Sequence, residues 1–154
     1  AETRLRAWFR TDFGIPSPAV EEIDRETIDA ALVEAIPAND GSQTPIRTAY
    51  TDGTYLAPVA DDVGMLRVIG ALTSILPYRP ERFDCENMAG MYRAFVAFLL
   101  GTNTVGIVYD WSGAHAYNVV VDADGTVRFY EPQDDEWMEL GGEHYPLENA
   151  LIVF

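Results

Sequence analysis

Lysine is missing from this sequence. All ten basic residues are arginine (positions 4, 6, 10, 25, 47, 67, 79, 82, 93 and 128), and they face 25 acidic residues, for a net charge of −15. So little positive charge repels phosphate backbones and anionic lipid, which excludes nucleic acid and membranes as expected partners. Cysteine occurs once, at Cys85. No internal disulfide can form, so the fold must rest on its apolar core, and a reducing cytoplasm (or a virion, for a viral protein) is the expected compartment. No apolar run approaches the roughly 18 residues that cross a bilayer, and Ala1-Glu2-Thr3-Arg4 does not open a signal peptide. Repeats, low-complexity tracts and long linkers are also missing, so residues 1–154 read as one domain.

What is present is ordinary in kind. Hydrophobic residues make up 48% of the chain and charged residues 23%, the balance of a globular protein. The acidic surface without lysine suits concentrated salt, where self-repulsion is screened within a few ångströms. A halophilic archaeon or one of its viruses is the expected source.

Residues 1–45 read as a helical lead-in whose Trp8, Phe9 and Phe13 are expected on the core. Ser17-Pro18 predicts a helix start, and Val20, Ile23, Ile28, Ala31, Leu32 and Ile36 recur at helical spacing up to Pro37 and the Asn39-Asp40-Gly41-Ser42 turn. Residues 45–58 read as extended, and a second helix is predicted over 61–76. A third begins at Asp84-Cys85 and runs to Leu100, apolar nearly all round in its second half and stopped by Gly101. Strands are predicted over 104–110, 114–122, 126–131 and 149–154. Helices first and an antiparallel sheet afterwards predict an α+β fold.

Three residues carry candidate chemistry. Cys85 stands at a helix N-terminus, with Asp84 as cap, where the dipole is expected to lower its pKa and favour thiolate. Of the two histidines, His144 lies in a Gly-rich acidic loop and reads as a surface residue, whereas His115 opens a strand after the Ser112-Gly113 turn. The Asp122-Ala123-Asp124-Gly125 turn connects that strand to the next. If Ala123-Asp124-Gly125 form a three-residue loop, Tyr117 faces Glu131, and His115 and Glu131 are diagonal neighbours roughly 7–8 Å apart. A two-residue turn would put Glu131 on the opposite face. In the first case thiol, imidazole and carboxylate form a nucleophile–base–orienter set. Asn118, of opposite parity, is expected to satisfy backbone groups. Asp134-Asp135-Glu136 reads as a solvated loop, and Trp111 and Trp137 as either cleft lining or packing.

Three blocks, Arg82-Phe83-Asp84-Cys85-Glu86-Asn87-Met88-Ala89, Gly113-Ala114-His115-Ala116-Tyr117-Asn118 and Phe129-Tyr130-Glu131-Pro132-Gln133, resemble those of one small family. It is the papain-like C-terminal domain of the fairy-ring mushroom agglutinin and related phage and bacterial proteins. With Tyr55-Leu56-Ala57-Pro58 the resemblance covers about residues 54–133. It implies a papain-like fold and a catalytic Cys85, His115 and Glu131, in the Cys–His–acid chain order of papain-like hydrolases. It departs at Glu86-Asn87, where the family favours two acids, and at Tyr78-Arg79-Pro80, where papain-like enzymes carry an oxyanion-binding Gln; the only Gln residues are Gln43 and Gln133. The family associates calcium with activity, but no ligand set can be matched here.

The expectation is therefore a papain-like thiol hydrolase, a cysteine peptidase or amidase cleaving a peptide or protein substrate without a required cofactor. The alternatives are an inactive papain-like binding or virion-associated module, and acyl transfer on the same residues.

Overall fold

The structure is a computed structural model and describes residues 4–36 and 46–154. The Asn39–Ser42 turn and Gln43 lie outside the described residues. In chain order the elements are α1 (Arg4–Phe13), β1 (Val20–Ile23), α2 (Arg25–Ala35), β2 (Arg47–Ala49), β3 (Tyr55–Pro58), α3 (Arg67–Thr73), α4 (Cys85–Phe95), β4 (Val105–Asp110), β5 (His115–Val121), β6 (Val127–Glu131), β7 (Glu136–Met138) and β8 (Ala150–Val153). A 3₁₀ turn over Ala60–Leu66 leads into α3, and a π turn over Val96–Leu100 ends α4.

Alternation along β5 and β6 decides how the layers stack. A six-stranded sheet runs in the order β2-β8-β4-β5-β6-β7, antiparallel except for the parallel pair β2–β8. Tyr117, Val119, Val121 and Phe129 point to one face and pack with Ile28 and Leu32 of α2. Val120 and Tyr130 point to the other and pack with Ile69 of α3, Tyr92 of α4 and Val96. The sheet is thus covered on both sides, which explains why its central strands are buried almost throughout.

The α+β expectation holds at this level, with strands also threaded through the helical half. Val20–Ile23, expected to be helical, instead pairs with β3. The helix starts later because Asp24, not Ser17, caps it: Asp24 Oδ1 accepts from the Thr27 backbone N–H at 2.8 Å. The end of the third predicted helix is less buried than its composition implies, since Phe95 and Phe98 are 38% and 40% exposed. Trp8 and Phe13, expected on the core, are also half exposed and pack with Phe9 as an aromatic cluster on α1.

The β5–β6 hairpin has the three-residue loop. Its register pairs Asn118 with Tyr130 and Val121 with Val127, and Gly125 has φ +84°. Asp122 Oδ1 accepts from Thr126 N–H and its Oδ2 pairs with Arg128, which locks the turn. This register puts Glu131 on the same face as His115.

Candidate functional site

The turn after β4 is organised by a buried carboxylate. Asp110 Oδ1 accepts from the Ser112 N–H (3.1 Å), the Ser112 hydroxyl (2.5 Å) and the Gly113 N–H (3.2 Å). Its Oδ2 accepts from the Tyr117 hydroxyl (3.1 Å) and the Leu147 N–H (2.9 Å). An Asp with Ser and Gly two and three residues on is the sequence signal for such a turn. The turn delivers His115 as the first residue of β5. By parity His115 belongs to the α2 face and Cys85 stands over the other, but at the strand's end both reach one cleft.

That cleft has a volume of about 220 Å³. Its walls are Cys85 and Glu86 of α4, Tyr109 to Trp111 at the end of β4, and Ala114 to Ala116 at the start of β5. Trp111 is 50% exposed at its edge, with the Arg47 guanidinium 5.3 Å from the ring centroid.

Glu131 holds the imidazole from behind. Its Oε2 lies 2.7 Å from His115 Nε2 and accepts from the Tyr145 hydroxyl at 3.0 Å, while Oε1 accepts from the Gln133 backbone N–H at 3.1 Å. Burial works to raise the Glu131 pKa, but the bonds from His115, Gln133 and Tyr145 together hold it below the ordinary carboxylate value. Burial, the Glu131 charge and the bond to it push the Tyr145 phenol up. Tyr145 escaped sequence reasoning because it arrives from a distant loop, pinned by the Gly141 N–H to Tyr145 carbonyl bond (2.7 Å).

Cys85 behaves differently from expectation. Its Sγ–H donates to Glu86 Oε2 at 3.4 Å. Burial raises its pKa most, and the Glu86 carboxylate adds to that, against a lowering contribution from the Ala116 backbone amide. The expected lowering at the helix N-terminus is not the net outcome: burial and the adjacent Glu86 carboxylate push the Cys85 thiol up from its ordinary value. The helix itself starts as predicted, with Asn87 Oδ1 accepting from the Asp84 N–H at 3.2 Å.

The remaining candidates take structural places. Asn118 donates to the Ala89 and Gly106 carbonyls, as its parity indicated. Asp135 is tied to Tyr130 and Arg67. Trp137 packs edge-on against Tyr130, and His144 is exposed. Among the described residues no group of three or more His, Cys, Asp or Glu is placed to hold a metal ion, and no helix is long and apolar enough to cross a membrane.

No protein-family model matches the sequence, and no curated protein matches it. Solved structures do match in fold. One, described as "PSL1a-E64 complex", superposes with a TM-score of 0.63 at 24% identity, covering 86% of this chain and 51% of that one. Another, Polyporus squamosus lectin bound to the epitope Neu5Aca2-6Galb1-4GlcNAc, gives 0.62 at 22% identity, covering 86% and 49%. The fold is shared with a lectin chain. This chain spans about half the length of those neighbours.

These findings overturn the papain-like protease reading. The structural likeness is to a sugar-binding lectin, and no family or sequence match supports a papain-like protease. The thiol-hydrolase function, the cysteine-protease description and the peptide or protein substrate are corrected with it. The physical reason lies in what the three motif blocks encode. They specify which side chains meet at the end of β5, and a thiol, an imidazole and a carboxylate gathered at one cleft do not by themselves fix a reaction.

Proposed function

We propose that this chain is a carbohydrate-binding domain whose cleft beside the β4–β5 turn seats a single sugar ring. The observation that carries the reading is the exposed indole of Trp111 at the edge of a small cleft whose apolar lining is interrupted by the side chains of Glu86, Asp110 and His115. An aromatic face beside a few fixed polar groups is the usual composition of a site for a small polar ligand. At about 220 Å³ the cleft is smaller than the roughly 300–1,000 Å³ of drug-sized sites, which suits one ring of a larger glycan. Cys85, His115 and Glu131 act here as binding and positioning groups: Glu131 orients His115, and the thiol donates to Glu86. The sugar in the lectin neighbour's description is consistent with this class of ligand.

Saturation-transfer NMR with Galβ1-4GlcNAc on the intact chain is the test. Transfer to one ring, lost in Trp111→Ala while the circular dichroism spectrum is unchanged, is the expected result. Absence of transfer across a panel of neutral and charged glycans would refute it.

One observation favours a second reading: Cys85 and His115 open onto the same cleft. The thiol would then be a point of covalent capture for an electrophilic ligand. E64, present with one fold neighbour, is the natural probe. A mass increase confined to Cys85 and lost in His115→Ala would favour this reading; an unmodified native protein would eliminate it.

A further inference from the structure

We infer that the cleft selects uncharged, hydroxyl-rich sugars and rejects carboxylate-bearing ones, because its ionisable groups present hydrogen-bond acceptors and excess negative charge. The inference rests on the carbohydrate reading and specifies the ligand class of that site.

The orientation of His115 is the first support. A carboxylate accepts but does not donate, and Glu131 already accepts from Tyr145 and Gln133. The His115 nitrogen 2.7 Å from Glu131 Oε2 is therefore the one bearing hydrogen, which in the neutral ring makes Nε2 the donor and leaves Nδ1 as a bare acceptor. Tyr145 is a positioning residue in this arrangement. Its hydroxyl shares Oε2 with the imidazole, and its ring stands 5.6 Å from the His115 ring. A sugar hydroxyl can donate to Nδ1, whereas a carboxylate cannot.

Charge is the second support. Glu86 and Asp110 line the cleft and Glu131 stands behind His115, while no arginine is among the lining residues. Even with His115 protonated, two negative charges remain in excess. Asp110 offers no free acceptor, since its oxygens receive five donors, but its charge persists. Two such charges at roughly 6 Å in a water-like dielectric lower the affinity of a carboxylate by about tenfold. Arg47, on the edge strand β2, sits over the Trp111 ring and is not among the residues that line the cleft.

Isothermal titration of the intact chain with Galβ1-4GlcNAc and with Neu5Acα2-6Galβ1-4GlcNAc, at about 0.1 M and about 1 M salt, tests this. The neutral sugar should bind about tenfold tighter at low salt. The gap should narrow at high salt, where the screening length falls from about 10 to about 3 Å, and in Glu86→Gln. Equal or tighter binding of the sialylated sugar overturns the inference and leaves the carbohydrate reading standing. Binding of neither sugar overturns the carbohydrate reading, and the inference falls with it. Nitrogen-15 shifts of the His115 ring give an independent check: a ring carrying its hydrogen on Nδ1 in the neutral form overturns the assignment of the acceptor.

Discussion

Replacing Gly70 by alanine should damage this protein more than any comparable change on a helix surface. Gly70 lies in α3 against β6, and an added Cβ would overlap the Tyr130 hydroxyl and stand 2.7 Å from Tyr130 Cζ and 2.5 Å from Asp135 Oδ1. Glycine-to-alanine inside a helix ordinarily stabilises by up to about 1 kcal/mol through backbone entropy. Here the far end of the obstructing side chain cannot swing aside. Tyr130 is fully buried, stacked on Tyr92 at 4.6 Å and bonded through its hydroxyl to Asp135, which also pairs with Arg67. Overpacking of this kind costs about 2–3 kcal/mol. For a chain of this length that is a fall of roughly 6–10 °C in Tm. Urea denaturation of the wild type, Gly70→Ala, Tyr130→Phe and the double variant measures it. Tyr130→Phe alone should cost about 1 kcal/mol through the lost hydrogen bond. In that background Gly70→Ala should cost at least about 1 kcal/mol less than in the wild type, because the obstructing oxygen is gone. A Gly70→Ala loss under about 0.5 kcal/mol, or strict additivity across the cycle, would refute the reasoning.

Two further outcomes follow from charge. Glu131 is held below its ordinary pKa in the folded state, so its contribution to stability is present above the unfolded value of about 4.3 and is lost as pH falls through the folded one. Urea midpoints measured from pH 6 to pH 3 should fall more steeply in the wild type than in Glu131→Gln, and parallel curves would count against it. With a net charge of −15 and no lysine, the thermal midpoint should rise as sodium chloride increases from millimolar to molar, and a flat or falling midpoint would remove the halophilic expectation.

The parts of the fold that could be read from the sequence are those fixed by local pattern. The period of two along 105–131 was legible, the sequence allowed two turn lengths after Asp122, and the three-residue loop is the one whose register brings Glu131 to His115. The Asp84–Asn87 start of α4 was equally local. What could not be read depends on partners distant in sequence. Val20–Ile23 has helical spacing, yet becomes a strand because Tyr55–Pro58 offers it a ladder. Tyr145 reaches Glu131 from a loop with no periodic signal. At Cys85, the helix N-terminus was legible but burial was not, and burial is the main reason the thiol is pushed up from its ordinary value. The motif blocks suggested a protease because they record which residues meet, not the charge and solvation they meet in.

The place of β8 has a consequence for how the chain folds. This strand lies between β2 and β4, pairing Leu151 with Arg47 on one side and with Tyr109 on the other. The Phe154 carbonyl then receives both the backbone N–H and the hydroxyl of Thr51. During synthesis β2 emerges roughly a hundred residues before the strand it pairs with, so that closure is among the most non-local steps available to a chain of this size. Until β8 inserts, β4 offers an open edge from Ile107 to Asp110. A nascent or partly unfolded chain therefore exposes a template for strand exchange with a neighbouring copy, and the speed of β8 insertion limits how long that hazard lasts.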